Sequence, residues 1–520
     1  MFTLALGYLF GLQQKAPVFL QNPFQKTSQS GLLKIDRILE EIDLKYVDSI
    51  NKEELVEIAI QSMLEKLDPH TVYIPPQDVQ FANERIQGSF DGVGVRFLII
   101  DDTLFVTNVV PRGPSFFAGL KDGDRILAVD TVKLVGVGLT NKKVFDNLRG
   151  ERGTTAKLKV LRPNNGTKTF NVVRNQVPIK SVDAAFMINE NTGYLKLSSF
   201  AVTTEMEFVQ SSVALLKQGM KKMIFDLRGN SGGVLGAAIA ISDHFLPQGK
   251  LIVYTEGKSQ PKREEFATAQ KNLLEDVEVI VLIDNNSASA SEIVAGAIQD
   301  NDRGLIYGRR SFGKGLVQEP IDLSDGSELR LTVSRYYTPV GRSIQKPYGN
   351  GVDYAHDIEV RYNSGEFYQL DSSMLDTLPK FTTPKGKVVY GGGGIFPDVF
   401  IPLDTAGSSV GLNRLFYEGM FNEFCFRYVD KHRKKLSQYK SVQEFAKNFT
   451  VTDQMLNNLK TYAAEHNVRI SERDIIQSKE RIKRRVKAGI ANYLWEDLGL
   501  FYILLEEDTE VKKALSDLSN

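Results

Sequence analysis

Apolar and polar positions change their rhythm several times along this chain. Over residues 31–67 apolar side chains recur every three or four positions: Ile35, Ile38, Leu39 and Ile42, then Leu55, Ile58, Ala59, Met63 and Leu67. That spacing lines one face of a helix and predicts a helical N-terminal region over 31–88. Lys66-Leu-Asp-Pro-His-Thr71 interrupts it, and Pro75-Pro76 marks a loop. From about 89 to 178 the pattern becomes short β-branched and aromatic runs: Gly94–Ile100, Leu104–Val110, Arg125–Val129, Ala156–Leu161 and Lys168–Val173. Turn-forming residues separate them, which predicts a small β-rich module.

Beyond 179 apolar strands alternate with longer helical patterns. Strands are expected at Gly193–Leu197, Lys222–Asp226, Val279–Ile283 and Leu305–Tyr307, and helices over 204–218, 233–245 and 290–300. Such alternation argues for an α/β core over 179–405. Residues 406–520 read as a helical extension, with a basic stretch at 479–487 taken as a solvated face. The fold expected is multidomain α+β: a β-rich domain before a layered α/β core, with helical regions at both ends.

Composition narrows the function. Lys plus Arg (64) balances Asp plus Glu (64), so no net field favours nucleic acid. Cys425 is the only cysteine, which excludes an intramolecular disulfide and a thiolate zinc cluster. The five histidines (70, 244, 356, 432, 466) show no metal-binding spacing, so no metal is expected. Residues 1–12 carry no charged side chain. That run is too short to span a membrane and has the length of a signal-peptide core, but lacks a basic start and a cleavage site. An export or anchor segment with a linker over 1–30 is the expectation, and a buried first helix is its alternative.

Three segments could carry chemistry. In Asp284-Asn-Asn-Ser-Ala-Ser-Ala-Ser-Glu292, a strand runs into a helix, and Ser289 with Glu292 forms an S-x-x-E capping box. Ser289 is therefore either a helix cap or a nucleophile at the positive helix end. In Phe312-Gly-Lys-Gly-Leu-Val-Gln318, Lys314 and Gln318 fall on one face of an extended segment. A lysine serves as base only when neutral, which burial can achieve. In Asp226-Leu-Arg-Gly-Asn-Ser-Gly-Gly233, bare main chain at Gly232 and Gly233 can approach a reacting carbonyl. A Ser-His-Asp triad through His244 stays open at this point.

Together these three segments resemble the carboxy-terminal processing peptidases, or tail-specific proteases, of serine peptidase family S41. The resemblance implies Ser289 as nucleophile, Lys314 as general base and Gln318 as the residue that positions the lysine. It implies an oxyanion hole from Ala290 and the Gly232-Gly233 turn, and supporting roles for Glu292 and Asp300. Gly92-Val93-Gly94-Val95 resembles the peptide-binding loop of a PDZ domain, and Gly113–Ile126 its core signature. The β-rich module at 89–178 is then a PDZ domain, and the core a crotonase- or ClpP-like fold. Arg149, in Leu148-Arg-Gly-Glu-Arg-Gly153, is implied to couple the two, and Tyr390–Asp398 to complete the core. The substrates implied are polypeptides with apolar C-termini, without cofactor or nucleic acid, in a bacterial envelope and periplasmic. An adaptor and a homo-oligomer are left open. A catalytically silent PDZ scaffold and a crotonase-like acyl-transfer enzyme are the alternatives.

Overall fold

The computed structural model describes residues 25–519 apart from 269, 350 and 371. The expected export segment lies largely outside the described residues. No helix among those described is long and apolar enough to cross a membrane. The chain forms two compact units, one ending at Leu67 and the other beginning at Asp68. Within the first, helices span Gln25–Lys45 and Lys52–Leu64, and the Asn51 side chain accepts from Glu54 N–H at the start of the second.

A further helix, Pro76–Gln87 in the second unit, also falls within the expected helical region 31–88. Residues 72–74 form a strand that pairs with Glu328–Tyr337 in a sheet of the core, with Val72 opposite Arg330. Three residues are too few to show a period, which is why the sequence hid this strand.

The β-rich module is an antiparallel sheet ordered Val95–Ile100, Thr103–Val109, Arg125–Val129, Thr155–Arg162 and Gly166–Val173, with Val132–Lys133 beside the third. Thr155–Arg162 buries Ala156, Leu158 and Val160 and turns Thr155, Lys157, Lys159 and Leu161 to solvent, the alternation of a one-faced strand. The helix Asn141–Leu148 adds Val144 and Leu148 to that core. Strand Val95–Ile100 stands at one edge. An antiparallel ribbon of Ser89–Gly92 with Asn175–Pro178 forms the neck of the module.

The core sheet runs Val182–Met187, Thr192–Leu197, Lys222–Asp226, Glu278–Ile283, Leu305–Gly308 and Val399–Phe400, parallel after the first pair. Helices Thr204–Lys217, Leu235–Asp243 and Ala290–Asp300 supply apolar side chains to one face. The other face, with Tyr194, Ile224, Ile280, Leu282 and Tyr307, is covered by Leu505, Val511, Ala514 and Leu518 of the extension. The extension thus closes the core and also has its own apolar centre around Phe424, Cys425, Phe445 and Val486. Segment Tyr390–Asp398 meets the core where Ser311 N–H donates to the Ile395 carbonyl and Ile395 N–H donates to Ser311 Oγ, and it leads into the sixth strand.

Asp300, expected beside the site, ends the helix that Ala290 begins. Its carboxylate pairs with Arg342, both side chains fully buried, and accepts from Val340 N–H. Arg342 also donates to Gln299 and to the Tyr390 carbonyl. Asp300 therefore fastens the far end of that helix. Arg342→Met alone is expected to cost about 3–5 kcal/mol in urea denaturation, because it strands a buried carboxylate. Combining it with Asp300→Leu should recover most of that loss.

Candidate active site

Two adjacent parallel strands, Lys222–Asp226 and Glu278–Ile283, deliver the glycine loop and the Ser289 turn to one edge of the sheet. Ligands of parallel sheets gather at such carboxyl ends. Asp284 accepts from the N–H groups of Gly229, Asn286 and Ser287, while Ser287 Oγ donates to the Leu227 carbonyl. The Asn230 carbonyl accepts from Ala288 N–H at 3.0 Å and from Ser291 Oγ at 2.8 Å. The two loops are thereby stapled together.

Ser289 sits at φ 54°, ψ −113°, a left-handed conformation unfavourable for a residue with a Cβ. An ordinary helix cap is extended, so capping does not account for this backbone. Strain of this kind costs about 1–3 kcal/mol and concentrates at functional sites. Gly232 lies directly opposite: a Cβ there would fall 2.7 Å from Ser289 Cβ and 3.0 Å from Ala290 N. The N–H groups of Ala290 and Gly233 meet no protein acceptor among the described residues. Gly232 N–H already donates to Asn230 Oδ1 at 2.9 Å. Of the two turn glycines, Gly233 is the one with a donor to offer.

Glu292 is fully buried one helical turn beyond Ser289. Its carboxylate accepts from Ser289 N–H at 2.7 Å, Gly313 N–H at 2.7 Å, Lys314 N–H at 2.9 Å and Ser311 Oγ at 2.5 Å. Burial lifts its pKa to about 7 despite those four donors. Ser289 and Lys314 donate to the same carboxylate oxygen. On the opposite side the buried Tyr336 hydroxyl lies between the carbonyl oxygens of Ser289 and Lys314. Two side chains therefore contact both main-chain groups of both residues, with the single Tyr336 proton shared between the two carbonyls.

The Lys314 side chain is half-buried, and its ammonium has no hydrogen bond or ion pair among the described residues. Burial draws its pKa below the usual lysine value, Glu292 and Asp68 oppose the shift, and Arg330 adds to it. Gln318 Nε2 donates to Thr332 Oγ1 at 3.1 Å, and Thr332 Oγ1 donates to Asp68 Oδ1 at 3.1 Å. Gln318 is thus in the neighbourhood but bonded to Thr332. Loop 68–71 is part of the same surroundings: His70 Nε2 lies 2.8 Å from the Tyr354 hydroxyl. Burial, then the positive charge of Lys314, lowers the His70 pKa to about 4, so the ring is neutral at pH 7. His244 is elsewhere, stacked on Phe208 beside Glu205.

Tyr336, Thr332, Asp68 and His70 carried no motif that could have marked them, and Asn230 stood within the glycine-loop motif without a role assigned to it. Among the described residues no group of three or more His, Cys, Asp or Glu is arranged to hold a metal.

Arg149 pairs with Glu84 at 2.8 Å and lies over the rings of Phe81, Phe90 and Phe145. Burial raises the Glu84 pKa and Arg149 opposes it. One residue before Glu84, Asn83 bonds Glu328 and Arg330 on the long strand that also carries Thr332 and Tyr336. Loop Gly92–Val95 joins the neck strand Ser89–Gly92 to the edge strand Val95–Ile100, with Gly94 at φ 74° and Val93 buried.

A model of peptidase family S41 matches residues 191–360, and a PDZ-domain model matches 92–173. Residues 12–77 match the N-terminal domain of the activating protease CtpB, and 411–496 match a family of unknown function. The chain is 34% identical over 352 residues to a carboxy-terminal-processing protease of Bartonella bacilliformis, over 66% of this chain and 78% of that one. It is 31% identical over 326 residues to the carboxy-terminal processing protease CtpA of Bacillus subtilis, over 62% and 69%. A solved photosystem II D1 C-terminal processing protease aligns with TM-score 0.34 at 29% identity, over 61% of this chain and 90% of that one. With a PDZ domain ahead of a peptidase core, the chain belongs to the S41 family of carboxy-terminal processing proteases.

Proposed function

We propose that this protease cleaves polypeptides with a Ser289–Lys314 dyad and selects them through their C-terminal tails. The observation that carries the reading is the shared Glu292 carboxylate, which brings the main chains of Ser289 and Lys314 together. Ser289 Oγ attacks the scissile carbonyl and gives its proton to neutral Lys314. The new oxyanion accepts from Ala290 and Gly233 N–H, each worth about 3–4 kcal/mol in comparable sites. The lysine proton passes to the leaving amine, and water then releases the acyl group with Lys314 again as base. Gln318 acts through the Thr332–Asp68 chain rather than by a hydrogen bond to the lysine. Free enzymes often close such contacts only with substrate bound.

Tail selection is assigned to Gly92–Val95 and the adjoining edge strand Val95–Ile100, to which an extended peptide can add. Arg149 relays the position of the PDZ domain through Glu84 and Asn83 to the strand behind the dyad.

With an unfolded casein as substrate, Ser289→Ala and Lys314→Ala should each lower kcat by about 10,000-fold. Retained turnover in Lys314→Ala would refute the dyad. For the wild type, kcat/KM should rise with pH. Glu292 ionises near 7 and becomes a full acceptor for its four donors, and the neutral fraction of Lys314 grows toward a pKa below 10.5. A profile that falls with rising pH across that range would contradict both assignments. Arg149→Ala should lower kcat about tenfold or more through misplacement of the dyad, and should also lower thermal stability because the buried Glu84 loses its partner. Unchanged kcat would remove the relay.

A further inference from the structure

Strand Val95–Ile100 and helix Asn141–Leu148 flank a groove of about 930 Å³. Val95, Phe97, Leu139 and Phe145 give it apolar walls suited to the last side chains of a polypeptide. Its remaining wall is not made by the PDZ domain. It comes from the linker at Ile179 and Lys180, from Asp183 of the first core strand, and from Glu496 and Asp497 of the helical extension.

Two cations face this groove, and both are already engaged by the extension. Arg96, one residue past the Gly92–Val95 loop, meets Asp497 Oδ2 through both terminal nitrogens at 3.4 Å. Lys180 donates to Glu496 Oε2 at 2.7 Å. The carboxylates reach these positions because the helix Glu472–Leu504 breaks at Trp495 and Glu496. Glu496 adopts φ 54°, ψ −150°, a backbone conformation normally left to glycine. A strained acidic residue that serves only to be solvated has no reason to persist there. Elsewhere the extension holds the PDZ domain through Asp430 to Arg125 at 2.6 Å and Phe426 against Phe105 at 5.5 Å. Glu496 is the last residue of the stretch that matches a family of unknown function.

We propose that Glu496 and Asp497 are an internal substitute for the α-carboxylate of a substrate tail. They occupy Arg96 and Lys180 at rest, and a polypeptide with a free C-terminus binds by taking their place. The inference rests on the tail-selection reading above and names the ligand class: an apolar C-terminal segment with an ionised α-carboxylate. Both ion pairs are partly exposed, with Arg96 and Lys180 side chains 45% and 55% accessible. Pairs of that kind are weak, so an incoming carboxylate can exchange with them. The exchange frees Lys180, which lies between the neck strand Asn175–Pro178 and the first core strand Val182–Met187. The extension then acts as a restraint on the PDZ domain that a correct tail releases.

The test uses the full chain carrying Ser289→Ala, so that no peptide is cleaved. Fluorescence anisotropy would follow a labelled peptide ending in Val-Ala-Ala, as free acid and as C-terminal amide. The acid should bind at least about tenfold more tightly than the amide. Glu496→Gln with Asp497→Asn should tighten the acid about fivefold and leave the amide unchanged. Arg96→Gln should cut the advantage of the acid over the amide severalfold, with Lys180 holding the remainder. If wild type prefers the acid and the double variant binds it no more tightly, the substitute role is wrong and tail selection stands. If acid and amide bind alike, or neither binds, tail selection itself fails and this inference with it.

Discussion

One buried carboxylate organises the candidate active site. Glu292 has no exposure to solvent and four donors converge on it, two of them the main-chain N–H groups of Ser289 and Lys314. Leaving any of those N–H groups unpaired in the interior would cost about 1–3 kcal/mol, so the donors and the carboxylate hold one another. Tyr336 matches it from the carbonyl side. The strained backbone of Ser289 persists because these contacts over-determine it.

The rest of the fold supplies pieces to that centre from distant parts of the chain. Parallel pairing of the two central strands brings the glycine loop against the serine turn, and Asn230 locks them. The second sheet supplies Tyr336 and Thr332 from Glu328–Tyr337, and loop 68–71 closes over it through Asp68. Arg149 reaches the same strand from the PDZ side by way of Glu84 and Asn83. The extension covers the opposite face of the core sheet while its broken helix borders the groove beside strand Val95–Ile100.

Much of this was readable in the sequence, for local reasons. Strands such as Arg125–Val129 and the helix Ala290–Asp300 announce themselves by period and end where turn residues stand. Ser289 and Glu292 were readable as a pair, but the capping box has two meanings. Only the positive φ of Ser289 separates them. Gly232 and Gly233 look alike in sequence, and the Asn230 side chain, which engages one of them, makes the difference. Asp300 is an acid at the right end of no motif, and its partner Arg342 is 42 residues away. Long-range partners such as Tyr336 and Asp68 leave no local trace. Strand 72–74 acquires its identity from the neighbour it pairs with.

The most direct measurement is the rate at which a fluorophosphonate probe labels Ser289, read by mass spectrometry, in wild type and in Glu292→Gln. A glutamine would point an amide N–H₂ at N–H donors and break the register of Ser289 with Lys314. The account predicts a single adduct on Ser289 in wild type and labelling slowed by about 100-fold in the variant, with its circular dichroism unchanged. Labelling of the folded variant at the wild-type rate would contradict the claim that Glu292 holds the nucleophile and the base together.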